Sequence, residues 1–234
     1  MPCAIHGSLN PKNIDQYKAQ IRANGEELIL HTFPERVLEM EEILTTEDYN
    51  LTPEKYFQPI EIPIPDKIIN GETGQFSGCP VMVFPNGSVK SNSRIKKVID
   101  RTKPILNRLV YEAQTVRLWI QFSIPKIEDG NNFGVGIQED VLGEASSIER
   151  DALTFLENIL SYFVTRGKLV SKVAKFPHIE DFRDAIADLD YKQAIALRNI
   201  ILEVRNHYAA LHDLIIKNLD KIKNPRSTNH NTMY

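Results

Sequence analysis

The sequence predicts an all-α protein, an elongated four-helix bundle, and three observations carry that prediction. Apolar residues recur at three- and four-residue spacing over most of the chain, which is the pattern of a helix with one buried face. Four such stretches are separated by breaks bearing proline or glycine. One break, 45–92, is far longer than the others, so the bundle has a single long connection, between its first and second helices.

The first helix is expected over 11–44. Ile14, Tyr17 and Ile21 start its apolar face, and Leu28, Val37, Leu38 and Ile43 continue it. Gly25 weakens its middle. Pro34 should kink it near Phe33, because proline removes a ladder donor and clashes with the preceding turn. Residues 45–92 carry Pro53, Pro59, Pro63, Pro65, Pro80 and Pro85 among Asn and Gly. That density forbids a long helix and argues against central strands, so the segment reads as an irregular insert, part of it disordered. Its VMVF run, 81–84, suits either a short strand or a loop anchor.

The second helix is expected over 93–124, with Ser93 as its cap and Pro104 bending it. Ile95, Val98, Ile99, Ile105, Leu109, Val116, Trp119 and Ile120 form its buried face. Its first half is basic (Arg94, Lys96, Lys97, Arg101, Lys103 and Arg108), which reads equally as a solvated face or a partner surface. Pro125 ends it, and 126–136 is a turn-rich loop. The third helix, 137–175, runs from Ile137 and Val141 to Leu169 and Val173. Its first turns hold Glu139, Asp140 and Glu144, the sign the helix dipole favours. Pro177 breaks the chain before the fourth helix, 179–223, which has the most regular apolar spacing of all. At about 1.5 Å per residue it would be a rod of roughly 65 Å. Pro225 stops it, and a polar tail, 226–234, ends in Met233 and Tyr234. Such a tail is either frayed or suited to capture by a partner's pocket.

Composition bounds the function. The 234 residues are 42% hydrophobic and 25% charged, ordinary for a globular protein and enough for a core. A net charge of −3 predicts neither nucleic-acid nor membrane affinity. No apolar run approaches the roughly 20 residues needed to span a bilayer. MPCAIHGSLNPKN lacks a basic stretch followed by an apolar one, so no secretory signal is expected. Cys3 and Cys79 are not at metal spacing, and a reducing compartment is the simpler reading. The sequons at Asn50 and Asn86 are then chance matches.

Catalytic motifs are missing. A carboxylate-bridged di-metal bundle needs Glu-x-x-His on two helices, and the chain has none. Glu203 and His207 share a helix face but stand alone, so no metal or other cofactor is expected. Gly130, Gly134 and Gly136 do not form a dinucleotide fingerprint, because position 139 is Glu and no strand precedes them. No phosphate loop or nucleophile elbow occurs. Asp188 and Asp190 are expected to be solvated on an exposed segment rather than to act as acid and base. An interaction protein is the better expectation than an enzyme. A helical scaffold binding partners through the 45–92 insert is the alternative to the reading that follows.

Three stretches carry a family resemblance: IPKIEDGNNFGVGIQE (124–139), TRGKLVSKVAKFPHIEDFRDAI (165–186) and LRNIILEVRNHYAALHDLIIKNLDKIKNPRS (197–227). With FPNGSVKSN (84–92) and the Met-Tyr terminus, they closely resemble the 11S proteasome activator family, also called REG, and PRS at 225–227 looks most like its gamma type. The resemblance runs over almost the whole chain as a single 11S activator domain and is densest from residue 93 onward. It implies four-helix subunits assembled into a heptameric ring, here a homo-heptamer. Such a ring caps the 20S proteasome, opens its gate without ATP, and lets peptides and unfolded substrates through a channel. The activator itself cleaves nothing, and neither nucleic acid nor membrane is a partner.

Roles carry over by position. Met233 and Tyr234 match the docking tail, whose carboxylate would meet a lysine between neighbouring proteasome alpha subunits. Several tails on one ring would supply affinity through avidity. Ile127, Glu128, Asp129, Gly130, Asn131, Asn132, Phe133 and Gly134 match the activation loop, and Asn131 aligns with its most mutation-sensitive residue. Gly130 and Gly134 suit positive φ and close backbone approach, while Asn131 and Asn132 also suit plain turn formation. Lys168 matches a channel-lining position. Two departures stand out. The insert stretch NGETGQFSGCP, 70–80, has no Lys or Arg where the gamma type carries a nuclear import cluster, so the nucleus implied by the resemblance competes with the cytoplasm. Gly136 replaces a side chain usual in relatives, which is expected to loosen the third helix's start by about 1 kcal/mol.

Overall fold

The structure, a computed structural model, describes residues 11–49, 66–67, 82–83, 88–128, 130 and 132–226. The elements are α1 (Pro11–Glu27), a π-helical stretch (Leu28–Thr32), α2 (Phe33–Thr45), β1 (Asp66–Lys67), β2 (Met82–Val83), α3 (Ser93–Ser123), α4 (Phe133–Lys175), α5 (Asp181–Lys217) and α6 (Leu219–Lys223). The architecture is the expected helical bundle. Within the insert, β1 and β2 pair antiparallel, Asp66 with Val83 and Lys67 with Met82. The VMVF run therefore supplies a strand, and its partner strand was not anticipated. Insert residues 50–65, 68–81 and 84–87, with all six prolines named above, lie outside the described residues.

Each boundary that departs from expectation has a local cause. The first helix does not simply kink at Pro34: the turn before it widens. Phe33 donates its backbone N–H to Leu28 O, five residues back. A widened turn accommodates a proline that has no N–H and whose ring crowds the carbonyl four residues earlier. Gly25 is buried, and a Cβ there would lie 2.6 Å from Trp119 Cβ. The helix propensity it forfeits is exchanged for close approach of α1 to α3. Asn92, not Ser93, caps α3, its Oδ1 accepting from the backbone N–H of Arg94 at 3.1 Å and of Ile95 at 3.2 Å. Pro104 sits inside a continuous α3. α4 begins at Phe133, so its first turn holds no acidic residue and Glu139, Asp140 and Glu144 come later. The expected fourth helix ends at Lys217. Asn218 leaves helical geometry and its side chain donates to Leu214 O at 2.8 Å, and the chain resumes as α6.

The chain divides into two compact units. The first draws on Met1–Glu41, Leu106–Leu153 and Glu203–Tyr234. Its core contains Ile29, Phe33, Met40, Leu109, Val116, Trp119, Val141, Ile148, Tyr208 and Leu211, with Phe33 and Tyr208 edge to face at 4.9 Å. A charged cluster lies beside them, with Glu112 buried and Arg36, Glu39 and Arg108 half-buried. Glu112 Oε1 accepts from Arg36 Nε at 3.2 Å and Nη2 at 3.1 Å, and its Oε2 accepts from Tyr208 Oη at 2.5 Å. Glu39 accepts from Arg108 at 2.8 and 2.9 Å and from Arg36 at 3.0 Å. Burial alone would raise the Glu39 carboxyl, but hydrogen bonds and charge from Arg108 and Arg36 outweigh it and hold it below its ordinary range. Burial and the neighbouring Glu112 push the Tyr208 hydroxyl far up.

The second unit draws on Glu42–Ile105 and Thr154–Leu202. Leu44, Tyr49, Ile95, Ile99, Ile159, Tyr162, Ile186, Leu197 and Ile201 are buried in it. Arg198 donates to Leu44 O at 3.2 Å and Tyr49 O at 2.7 Å, tying down carbonyls where α2 ends. Asp190 is buried, which overturns its reading as a solvated acid. Its Oδ1 accepts from Tyr162 Oη at 2.8 Å and Arg166 Nε at 3.0 Å, and its Oδ2 from Asn92 Nδ2 at 3.1 Å. Burial and Asp190 push the Tyr162 hydroxyl well up. Nor is the basic start of α3 simply a solvated face: Lys97 and Arg101 both pair with Asp48.

Candidate functional site

One end of the first unit gathers three chain segments. α3 ends at Ser123, the 124–132 connection follows, and α4 starts at Phe133. The chain leaving α6 reaches the same place through Pro225 and Arg226. Three contacts hold these segments together.

Gln138 makes the first. Its side chain is fully buried, and its Nε2 donates to Ser123 O at 3.1 Å and to Ile222 O at 2.8 Å. Both carbonyls belong to the last turn of a helix, where no intrahelical donor remains. One amide therefore satisfies the ends of α3 and α6 from the second turn of α4. Gly134 makes the second. It is buried, and a Cβ on it would sit 2.2 Å from Pro225 O, so only glycine lets the α4 start touch that backbone. Arg226 makes the third, with Nη1 on Glu128 Oε2 at 2.8 Å and Nη2 on Asn132 Oδ1 at 3.2 Å.

Between these anchors the described residues 126–128, 130 and 132 are exposed. Ile127 is wholly exposed and Phe133 is 70% exposed. Gly130 has φ of +136°, a conformation that side chains rarely adopt. The two loop glycines thus divide the work foreseen for them: Gly130 takes the positive φ and Gly134 the close approach. Phe133 and Gly134 belong to the first turn of α4 rather than to the loop. Gly136 lies in that turn too, with nothing within 4 Å of an added Cβ, and its N–H donates to Asn132 O at 3.0 Å. A groove lined by Ile124, Pro125, Ile127, Val135 and Gly136, together with the polar Lys126, Glu128, Asn132, Glu139 and Arg226, runs beside the loop. Such a surface, apolar tips on braced stems, is equipped to press on a partner rather than to transform a substrate.

Lys168 is exposed on α4 in the second unit. Asp129, Asn131, Met233 and Tyr234 lie outside the described residues. Glu203 is exposed, and His207 faces Asp151 at 3.7 Å instead. Among the described residues no group of three or more His, Cys, Asp or Glu is placed to hold a metal ion, and no helix is long and apolar enough to cross a membrane.

Sequence reasoning missed Gln138 and Arg226. Gln138 carried a signal: it stands four residues after Gly134 and three before Val141, on the buried seam of α4, where a polar residue needs a partner. Arg226 lay in the PRS run without a role, and no spacing linked it to Glu128 or Asn132.

Comparison with known proteins identifies the family. The family description "Proteasome activator PA28, C-terminal" matches residues 88–232, and "Proteasome activator PA28, N-terminal" matches 8–67. Proteasome activator complex subunit 3 of Homo sapiens is 39% identical over 240 aligned positions, covering 94% of this chain and 94% of that protein, and the Gallus gallus subunit matches equally. Among solved structures, the 11S subunit of the Plasmodium falciparum proteasome, PA28, covers 97% of this chain and 100% of its own, at TM-score 0.74 and 26% identity. The activator in a proteasome–11S activator complex shares the fold at TM-score 0.66 and 14% identity. The chain belongs to the proteasome activator PA28 family.

Proposed function

We infer that this chain is the subunit of an ATP-independent activator of the 20S proteasome, not itself a peptidase, that works as a homo-heptameric ring. Its C-terminal residues Met233 and Tyr234 dock on the alpha ring, and the 127–134 loop holds the gate open so that peptides and unfolded chains enter. The single observation that carries the mechanism is the convergence of loop stems and tail root on Gln138, Gly134 and Arg226. A gate opener must present its loop at a fixed place relative to its anchor, and this end of the unit supplies both. Each tail alone binds weakly, and seven on one ring act by effective concentration. Lys168, exposed on α4, is assigned to the channel lining. With no basic cluster in 70–80, nuclear entry would need another signal, and imaging a tagged chain decides between nucleus and cytoplasm.

The test is hydrolysis of short fluorogenic peptides by latent 20S proteasome, with wild type, Asn131→Tyr and a chain lacking Tyr234. Wild type should stimulate, Asn131→Tyr should bind without stimulating, and the truncated chain should not bind. An assembled wild-type ring that leaves a matched proteasome latent sinks the proposal.

A further inference from the structure

In the function proposed above the loop and the tail have two tasks, one to open and one to hold. In this subunit they share one buried amide. We propose that Gln138 is a positioning residue that locks the gate-opening loop to the root of the docking tail, so that a docked ring opens the gate only while this clamp is intact. The inference rests on the function proposed above.

Four observations support it. Gln138 is buried, and its Nε2 reaches the last turn of α3 and the last turn of α6 at 3.1 and 2.8 Å. The direction of the amide is dictated by its neighbours, since both partners are carbonyls and only the amine end can donate to them. Among the described residues its Oε1 has no hydrogen-bond partner, so the residue accepts an unsatisfied atom for the sake of two donated bonds. The same segments are tied twice more, by Arg226 to Glu128 and Asn132 and by Gly134 against Pro225. The loop and the tail both continue from these tied segments. A tail on a slack root would still dock, but its docking would place no loop. A root stapled to both loop stems converts docking into a defined offset between anchor and gate.

The experiment separates two readouts of the same titration, the ring concentration giving half-maximal stimulation and the plateau at saturation. Latent 20S proteasome and a fluorogenic peptide are titrated with wild type, Gln138→Met (similar length, no donor) and Arg226→Gln (surface tie removed). Ring assembly is checked by sizing, and binding to 20S directly by co-sedimentation. The clamp predicts binding within about two-fold of wild type, because the docking residues Met233 and Tyr234 are untouched, with the plateau falling about ten-fold for Gln138→Met, a loss of the size typical of coupling between two sites, and by a smaller factor for Arg226→Gln. A role in stability alone would instead lower assembly and binding and leave the plateau of whatever ring forms. Plateaus equal to wild type in both variants overturn the inference. If Gln138→Met fails to assemble, Arg226→Gln decides alone, an unchanged plateau counting against the clamp. A wild-type ring that never stimulates is a separate result, since it removes the proposed function itself.

Discussion

Asp190 offers the sharpest test of how the second unit is held together. Its carboxylate receives three hydrogen bonds, from Tyr162, Arg166 and Asn92, at 2.8 to 3.1 Å. The side chains of Arg166 and Asp190 are 6% and 5% exposed, so the pair is desolvated. Asp190→Ala removes the carboxylate that pairs with the Arg166 guanidinium, whose Nη2 is already buried without a partner among the described residues. Stranding a buried charge costs about 3–5 kcal/mol. The orphaned Tyr162 hydroxyl would add about 1 kcal/mol, less whatever a water entering the vacated space restores. A loss of about 4 kcal/mol is expected, which for a chain of this length lowers the melting temperature by about 8–16 °C. The double variant Asp190→Leu/Arg166→Met removes both charges and keeps their volume, and should return to within about 1–2 kcal/mol of wild type. Thermal melts followed by circular dichroism, at one protein concentration because assembly stabilises, give both numbers. A cost under about 1 kcal/mol for Asp190→Ala, or a double variant worse than the single one, would refute the stranded-charge account.

Three further outcomes follow from the geometry. Gly134→Ala meets Pro225 backbone and should cost about 1–3 kcal/mol in urea melts, whereas Gly136→Ala, two residues on in open space, should gain about 1 kcal/mol; similar effects at the two sites would contradict the assigned contact. Tyr208→Phe leaves Glu112 Oε2 without its hydroxyl and should cost about 1–3 kcal/mol, read from the same melts. Asp48 carries a pH signature: burial would raise its carboxyl, but Lys97 and Arg101 hold it below the ordinary range. A depressed carboxyl stabilises fully above its ordinary range and loses that contribution as pH falls through the native value. The stability gap between wild type and Asp48→Asn should therefore be full at pH 7 and close below about pH 4, and a gap that ignores pH would count against the ion pair.

What could be read in the sequence was the helical seam, and what could not was the polar chemistry placed on it. The long helices, their order and the long connection follow from apolar spacing alone. Glu112, Gln138, Arg166 and Asp190 all occupy seam positions, where a count of apolar residues skips them. Asp190, four residues after Ile186 and seven before Leu197, reads as a solvated acid when charge is weighed before register. Its partners Arg166 and Asn92 are distant in sequence, so no local pattern could name them. The start of α4 was misplaced because FGVG, with two glycines, looks like a loop, and only the contact of Gly134 with Pro225 makes glycine useful there. Gate opening and docking came from the family resemblance, since neither periodicity nor composition distinguishes a loop that presses on a partner from one that merely turns.

The π-helical stretch at Leu28–Thr32 has a consequence for how this chain tolerates change in length. A wide turn holds one residue more than an α-turn, so it acts as a spare stitch. Deleting one residue from an α-helix rotates everything beyond it by about 100° and turns its buried face outward. Deleting the half-exposed Leu30 would instead tighten the wide turn toward α geometry and leave Phe33 and Met40 facing the same core. Pro34 would then press on the carbonyl four residues before it, a strain confined to one turn. Single-residue insertions and deletions among members of this family should therefore collect at this turn, while the uninterrupted seams of α3 and α4 keep their length.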